Sequence, residues 1–145
     1  MTIETASLQR LRFAFGVQGP LRYIAVLDMG RLWERLLRRS GLPLAYSQGF
    51  NPHARLQFAD ALPLGYASRC EMVDVYLTEP VQADHALWKV QEQSPRGLIV
   101  SSAAYVPLSA PKPQAMMRAA VYRVQVWAES SRAQVEAAHA AQLAR

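Results

Sequence analysis

With 145 residues, 51% hydrophobic and 19% charged, the chain has the composition of one globular domain, or of one domain plus an extra piece, which excludes a disordered polymer. Its single cysteine, Cys70, excludes an internal disulfide and, having no CxxC spacing, gives no zinc or iron–sulfur motif. The net charge of +5 is concentrated toward the two ends, and fourteen of the sixteen cations are arginine, which suits phosphate contacts and solvated helix faces alike.

The first predicted element is a strand over residues 8–16. Leu11, Phe13 and Phe15 alternate onto one face and Arg10 and Arg12 onto the other, a half-buried pattern that ends before Gly19-Pro20. Residues 27–40 predict a helix: Met29, Leu32, Trp33, Leu36 and Leu37 recur at helical spacing, Asp28 favours the positive helix start, and Gly41 and Pro43 mark the end. Arg31, Arg35, Arg38 and Arg39 form a basic ridge on its other face. They read either as phosphate contacts or as a solvated face on which Glu34 pairs with Arg38.

Residues 41–65, GLPLAYSQGFNPHARLQFADALPLG, combine turn residues and hydrogen-bonding side chains with almost no charge. The middle is too polar for core. Gly49 is free to take positive φ and Asn51-Pro52 favours a turn, so Tyr46, Ser47, Gln48, Phe50, Asn51, His53 and Arg55 read as a shaped loop, either a recognition loop or a tight structural crossover.

Leu56 and Phe58 alternate with polar residues, and residues 70–78 alternate again, so a hairpin is expected before Glu79-Pro80. Ala86, Leu87 and Val90, with Trp88 nearby, predict a second helix ending before Pro95 and Gly97, and residues 98–106 return as a strand. The fold class expected is α+β, a ferredoxin-like βαββαβ sandwich with an antiparallel sheet over residues 1–107. Residues 108–118 read as a Pro-rich linker. Residues 119–145 read as a partial second βα unit, with a strand over 121–128 and a helix capped by Ser130 or Ser131. Such a unit lacks a core of its own, so residues 118–145 are expected to pack on the first domain or to form a homodimer.

No apolar run approaches the roughly 20 residues needed to span a bilayer, and the opening MTIETASLQRLRF lacks the order of a secretion signal. A cytoplasmic chain without membrane contact is expected. There is no GxGxxG, no GxxxxGK[ST] and no CxxxCxxC. His53 has no paired acid evident in the sequence, and His85 and His139 read as surface residues, so no catalytic and no metal-ligating residue is assigned.

The runs RLRFAFGVQGPLRYI, RLWERLLRRSGLPLAYSQGFNPHARLQFADALPLG, MVDVYL and YRVQV, from residues 10 to 127, resemble the radical-SAM-linked protein family, a bacterial domain of unknown function. The most specific parts are GPLR at 19–22 and AYSQGFNP at 45–52. In that family the domain is found alone or attached to a cobalamin-binding radical SAM protein, so the resemblance implies an accessory role toward a radical SAM protein in trans, with no cofactor in this chain.

The motif order is also similar, more distantly, to the ferredoxin-like CRISPR repeat-processing endoribonucleases. That family commonly places Ser-His before Leu-Asp at the helix start, where this chain has Ala25-Val26 before Leu27-Asp28. Two functions stay in view, with an endoribonuclease-like enzyme behind them. One is an RNA-binding accessory domain using Arg22, Arg31, Arg35, Arg38, Arg39 and Arg55 for phosphates and Tyr46, Phe50, Asn51 and His53 for a splayed base. The other is a protein-docking module for a radical SAM enzyme.

Overall fold

The structure, a computed structural model, describes residues 9–127 and 129–144. Strand β1 is Gln9–Val17, and a short 3-10 turn at Gly19–Tyr23 leads into helix α1, Val26–Ser40. Strands β2 (Leu56–Phe58) and β3 (Ser68–Leu77) follow, then helix α2 (Ala83–Gln93) and strand β4 (Leu98–Val106). These strands form one antiparallel sheet in the order β2-β3-β1-β4. The protein is α+β, with these four strands and two helices close to their expected positions; Leu8 lies outside the described residues.

Alternation along the strands divides the sheet into two unlike faces. Leu11, Phe13, Phe15 and Val17 of β1 join Val73, Val75 and Leu77 of β3 and Leu98 and Val100 of β4 in the core with α1 and α2. Trp33 of α1 is fully buried there, with ring centroids 4.9 Å from Phe15 and 6.0 Å from Phe13. Leu36 and Leu37 lie beside it, and Ala86 and Val90 anchor α2. A fully buried aromatic of this size is worth about 3–5 kcal/mol on truncation. Gly41 stops α1 in the left-handed region at φ 67°, and its N–H donates to the Arg38 carbonyl.

Gly97 holds the turn before β4. Its φ is 96°, and a Cβ there would lie 2.6 Å from the Gln18 carbonyl oxygen, so only glycine lets the turn close on the end of β1.

The opposite face departs from expectation. The sequence makes the Arg10 side of β1 the polar half of a half-buried strand, yet Arg10 is 1% exposed and Asp74 of β3 is fully buried. The cover comes from residues 107–117, which cross this face and include helix α3, Pro113–Met116, with Pro113 buried. Beyond them the strand expected at 121–128 is not formed: residues 121–127 lie outside the sheet, and Ala128 lies outside the described residues. Alternation gives Tyr122, Val124 and Val126 a common side, but a strand needs a ladder partner, and no described strand pairs with them. Helix α4, Arg132–Leu143, starts as expected, with a capping box between Ser131 and Gln134.

Candidate functional site: the α1 ridge and the 41–55 loop

The loop after α1 is a small hairpin arm attached to the end of β3. Leu44 bridges to Leu77 and Tyr46 to Ala54, while the Ala45 N–H donates to the Tyr76 carbonyl and the Arg55 N–H to the Ala45 carbonyl, each at 2.8 Å. Its tip is closed by Ser47 and His53. The Ser47 N–H donates to the His53 carbonyl at 2.8 Å, and the His53 N–H donates to Ser47 Oγ at 3.0 Å. Between them Gln48, Gly49, Phe50, Asn51 and Pro52 are exposed, as is Ser47, with Gly49 at φ 128° and the Phe50 ring entirely in solvent.

Glu34 of α1 ties this arm to the helix, a role the sequence did not assign to it. Its side chain is 16% exposed. Oε1 accepts from Arg38 Nη2 at 2.6 Å and from the Ala54 N–H at 3.4 Å, while Oε2 lies 3.4 Å from His53 Nδ1. Arg38 in turn sits over the Tyr46 ring, 5.7 Å from its centroid. The i,i+4 pair read from the sequence therefore forms and also fastens the loop. The acid partner that His53 lacked in the sequence comes from nineteen residues upstream.

The structure therefore gathers Arg38, Tyr46, Ser47 and His53 around Glu34, with Gln48, Phe50 and Asn51 at the tip above them. Arg31 and Arg35 continue the Arg38 stripe toward the start of α1, and Arg39 lies on its flank. Arg31 is paired with Asp28 at 3.2 Å, and Arg39 reaches the Gln93 carbonyl of α2 at 3.4 Å. Arg35 is exposed and has no hydrogen-bond or ion-pair partner among the described residues.

Two expected members lie elsewhere. Arg22 precedes α1, whose fifteen residues at 1.5 Å each separate it from Gly41 by about 22 Å, and its guanidinium packs on Tyr23, 4.8 Å from the ring centroid. Arg55 points to the other side of the sheet. It stacks on Tyr76 at 4.7 Å, and Tyr76 receives Arg10 at 5.7 Å.

That other side carries a charge cluster not assigned from the sequence. Asp74 Oδ2 accepts from Arg10 Nε at 2.7 Å, and Oδ1 accepts from Arg12 Nε at 2.7 Å. Hydrogen bonding to Asp74 holds the Arg12 pKa above its ordinary value, against the opposing effect of burial. The signal was present in the sequence: Asp74 is the charged residue of an otherwise apolar stretch, MVDVYL, and strand pairing sets it opposite Arg12.

Among the described residues no three His, Cys, Asp or Glu side chains come together as a metal site, and no helix is long and apolar enough to cross a membrane. A family model described as "Uncharacterized protein conserved in bacteria (DUF2344)" matches residues 10–145. The chain belongs to that bacterial family. No curated protein matches the chain. The matched region takes in the four-stranded unit from Arg10 onward, the 41–55 arm and the segment beyond β4.

Proposed function

We propose that this chain is a non-catalytic accessory domain of a radical SAM system and that it binds single-stranded RNA along α1 and the 41–55 arm. One observation carries the proposal: a fully exposed aromatic, Phe50, stands at the tip of an arm that Glu34 fastens beside a stripe of exposed arginines. Aromatic tips stack on unpaired bases while guanidinium groups meet phosphates, the combination single-strand binding needs. The element order and the strand order β2-β3-β1-β4 support a ferredoxin-like split βαβ unit as the scaffold. RNA-binding sheets of four strands stack bases on aromatics of their open face. Here that face is crossed by residues 107–117 and its Tyr76 is buried, which directs the proposal to the helix side.

His53 acts in this reading as a binding residue. Its side chain is 70% exposed and Glu34 is at the outer limit of hydrogen-bond distance. A cytoplasmic location accords with this role.

The test is titration of labelled single-stranded RNA against salt. Arg35→Ala with Arg39→Ala should weaken binding and reduce the salt slope by about 0.7 for each phosphate that is no longer neutralised, and Phe50→Ala should weaken it by about 1–3 kcal/mol with the fold intact. Unchanged RNA affinity in both variants overturns the proposal. The second reading, docking onto a radical SAM protein, is favoured by the exposed Tyr23, Leu27 and Leu64 near the start of α1, and predicts capture of that protein with little dependence on salt.

Residues 118–145 are proposed to mediate self-association, because Val121, Val124 and Trp127 are exposed and pair with no described strand. Light scattering of a concentrated sample should show a dimer. A monomer at all concentrations counts against it.

A further inference from the structure

The open face of the sheet holds a second basic cluster, distinct from the α1 ridge. Arg10 and Arg12 share one carboxylate there, Asp74, so the pair carries surplus positive charge, and the Arg55 guanidinium stacks nearby on Tyr76. Asp74 satisfies one edge of the buried Arg10 guanidinium. The outer edge is completed by two neutral acceptors: Nη1 donates to the Ala110 carbonyl and Nη2 to the Pro111 carbonyl, each at 2.7 Å.

Both carbonyls belong to residues 107–117, whose attachment is narrow. Apart from these two bonds, the contacts of the segment among the described residues include burial of Pro113 and Met116 Sδ, 3.7 Å from Arg12 Nη1. Among the described residues its backbone-to-backbone bonds are local, Ala110 N–H to the Pro107 carbonyl and Ala115 N–H to the Lys112 carbonyl.

A pair of guanidinium N–H groups held side by side matches two oxygens of a phosphate. A bidentate guanidinium–phosphate pair adds an attraction between opposite charges that the two neutral carbonyls do not supply. A phosphate would also offset the surplus charge that two carbonyls leave standing. The exchange keeps both Arg10 donors paired at its end points, so it avoids leaving a buried charged donor unmade.

We propose that residues 107–117 are a displaceable strap over a masked phosphate site, and that a phosphate group displaces the strap by taking over the two Arg10 donors that Ala110 and Pro111 now hold. Arg12 flanks the site and adds charge, while Asp74 holds the inner edge of the Arg10 guanidinium. The site is independent of the RNA proposal for α1.

Hydrogen exchange on the full chain tests this with inorganic phosphate as the probe, at an ionic strength matched with chloride. Phosphate should speed exchange of the Ala110 and Ala115 amides, whose turns belong to the docked strap, and leave the amides of α1 unchanged. Pro113→Gly, which weakens the strap without touching the donors, should lower the phosphate concentration for half-effect roughly tenfold, the change expected from loss of one apolar anchor. Arg10→Lys keeps the charge but loses the fork, and should abolish the response. Exchange at Ala110 and Ala115 that phosphate leaves unchanged or slows in the unaltered chain overturns the proposal, whether or not Arg10→Lys folds. An equal response to chloride, or no difference for Pro113→Gly, also overturns it.

Discussion

The arginines of β1 and those of α1 are chemically the same residue in opposite situations. Arg10 is buried and Arg12 mostly so, both bound to Asp74, whereas Arg31, Arg35, Arg38 and Arg39 stand in solvent, each with at most one hydrogen-bonding partner among the described residues. The difference lies in what each element leaves uncovered. A helix packed on one side of a sheet keeps its far face in water, so an arginine stripe there costs little and remains available. A strand has two faces close to the chain, and a returning segment is enough to bury the second one. Arginine on the strand is then structural, because removing its partner strands a charge away from water.

The largest effect expected from this contrast is at Asp74. Asp74→Asn leaves two guanidinium groups without their counter-charge and should lower the unfolding free energy by about 3–5 kcal/mol in urea denaturation. A loss below about 1 kcal/mol would place the cluster with ordinary surface pairs and erase the contrast. The triple change Arg10→Met, Arg12→Met and Asp74→Leu sharpens the point. It should recover most of the stability lost in Asp74→Asn, since apolar groups of similar volume replace buried ions with little penalty. Because Asp74 raises the Arg12 pKa, stability from that pair is present below the ordinary arginine value and is lost only as pH rises through the raised one.

A smaller effect is expected at Glu34, which is half in each situation. Glu34→Gln should cost about 0.5 kcal/mol, the scale of an i,i+4 pair, while exchange of the His53 amide rises as the arm loosens from α1. A stability change without faster exchange would detach Glu34 from the loop and leave it a helix-surface pair. The smallest effect is at Arg35. Arg35→Ala should change stability by less than about 0.5 kcal/mol in the same urea measurement, and a larger loss would show that the α1 ridge carries part of the fold.

Much of the fold was legible because local period and burial agree. Leu11, Phe13 and Phe15 repeat every second residue, Met29, Leu32, Trp33, Leu36 and Leu37 at helical spacing, and both patterns face the core they imply. Gly41 and Gly97 marked breaks that the backbone uses as such. The candidate site was legible in part. Placing the arm next to α1 follows from the short connection at 41–43, and the exposure of Phe50 follows from the polar turn around it. The tail behaves differently: alternation over 121–127 records a strand's side-chain pattern without supplying the neighbour that makes one.

The amino-acid sequence by itself determined the elements of the four-stranded unit, their order and the side each presents to the core, since these depend on residues within one or two turns or a few positions along a strand. Tertiary structure alone decided which polar groups meet. Glu34 and His53 are nineteen residues apart, Arg10 and Asp74 sixty-four, and Arg10 and Ala110 one hundred. No local period encodes such pairings. They arise where the chain's return path brings unlike charges and carbonyls together, and desolvation there requires every donor to find an acceptor.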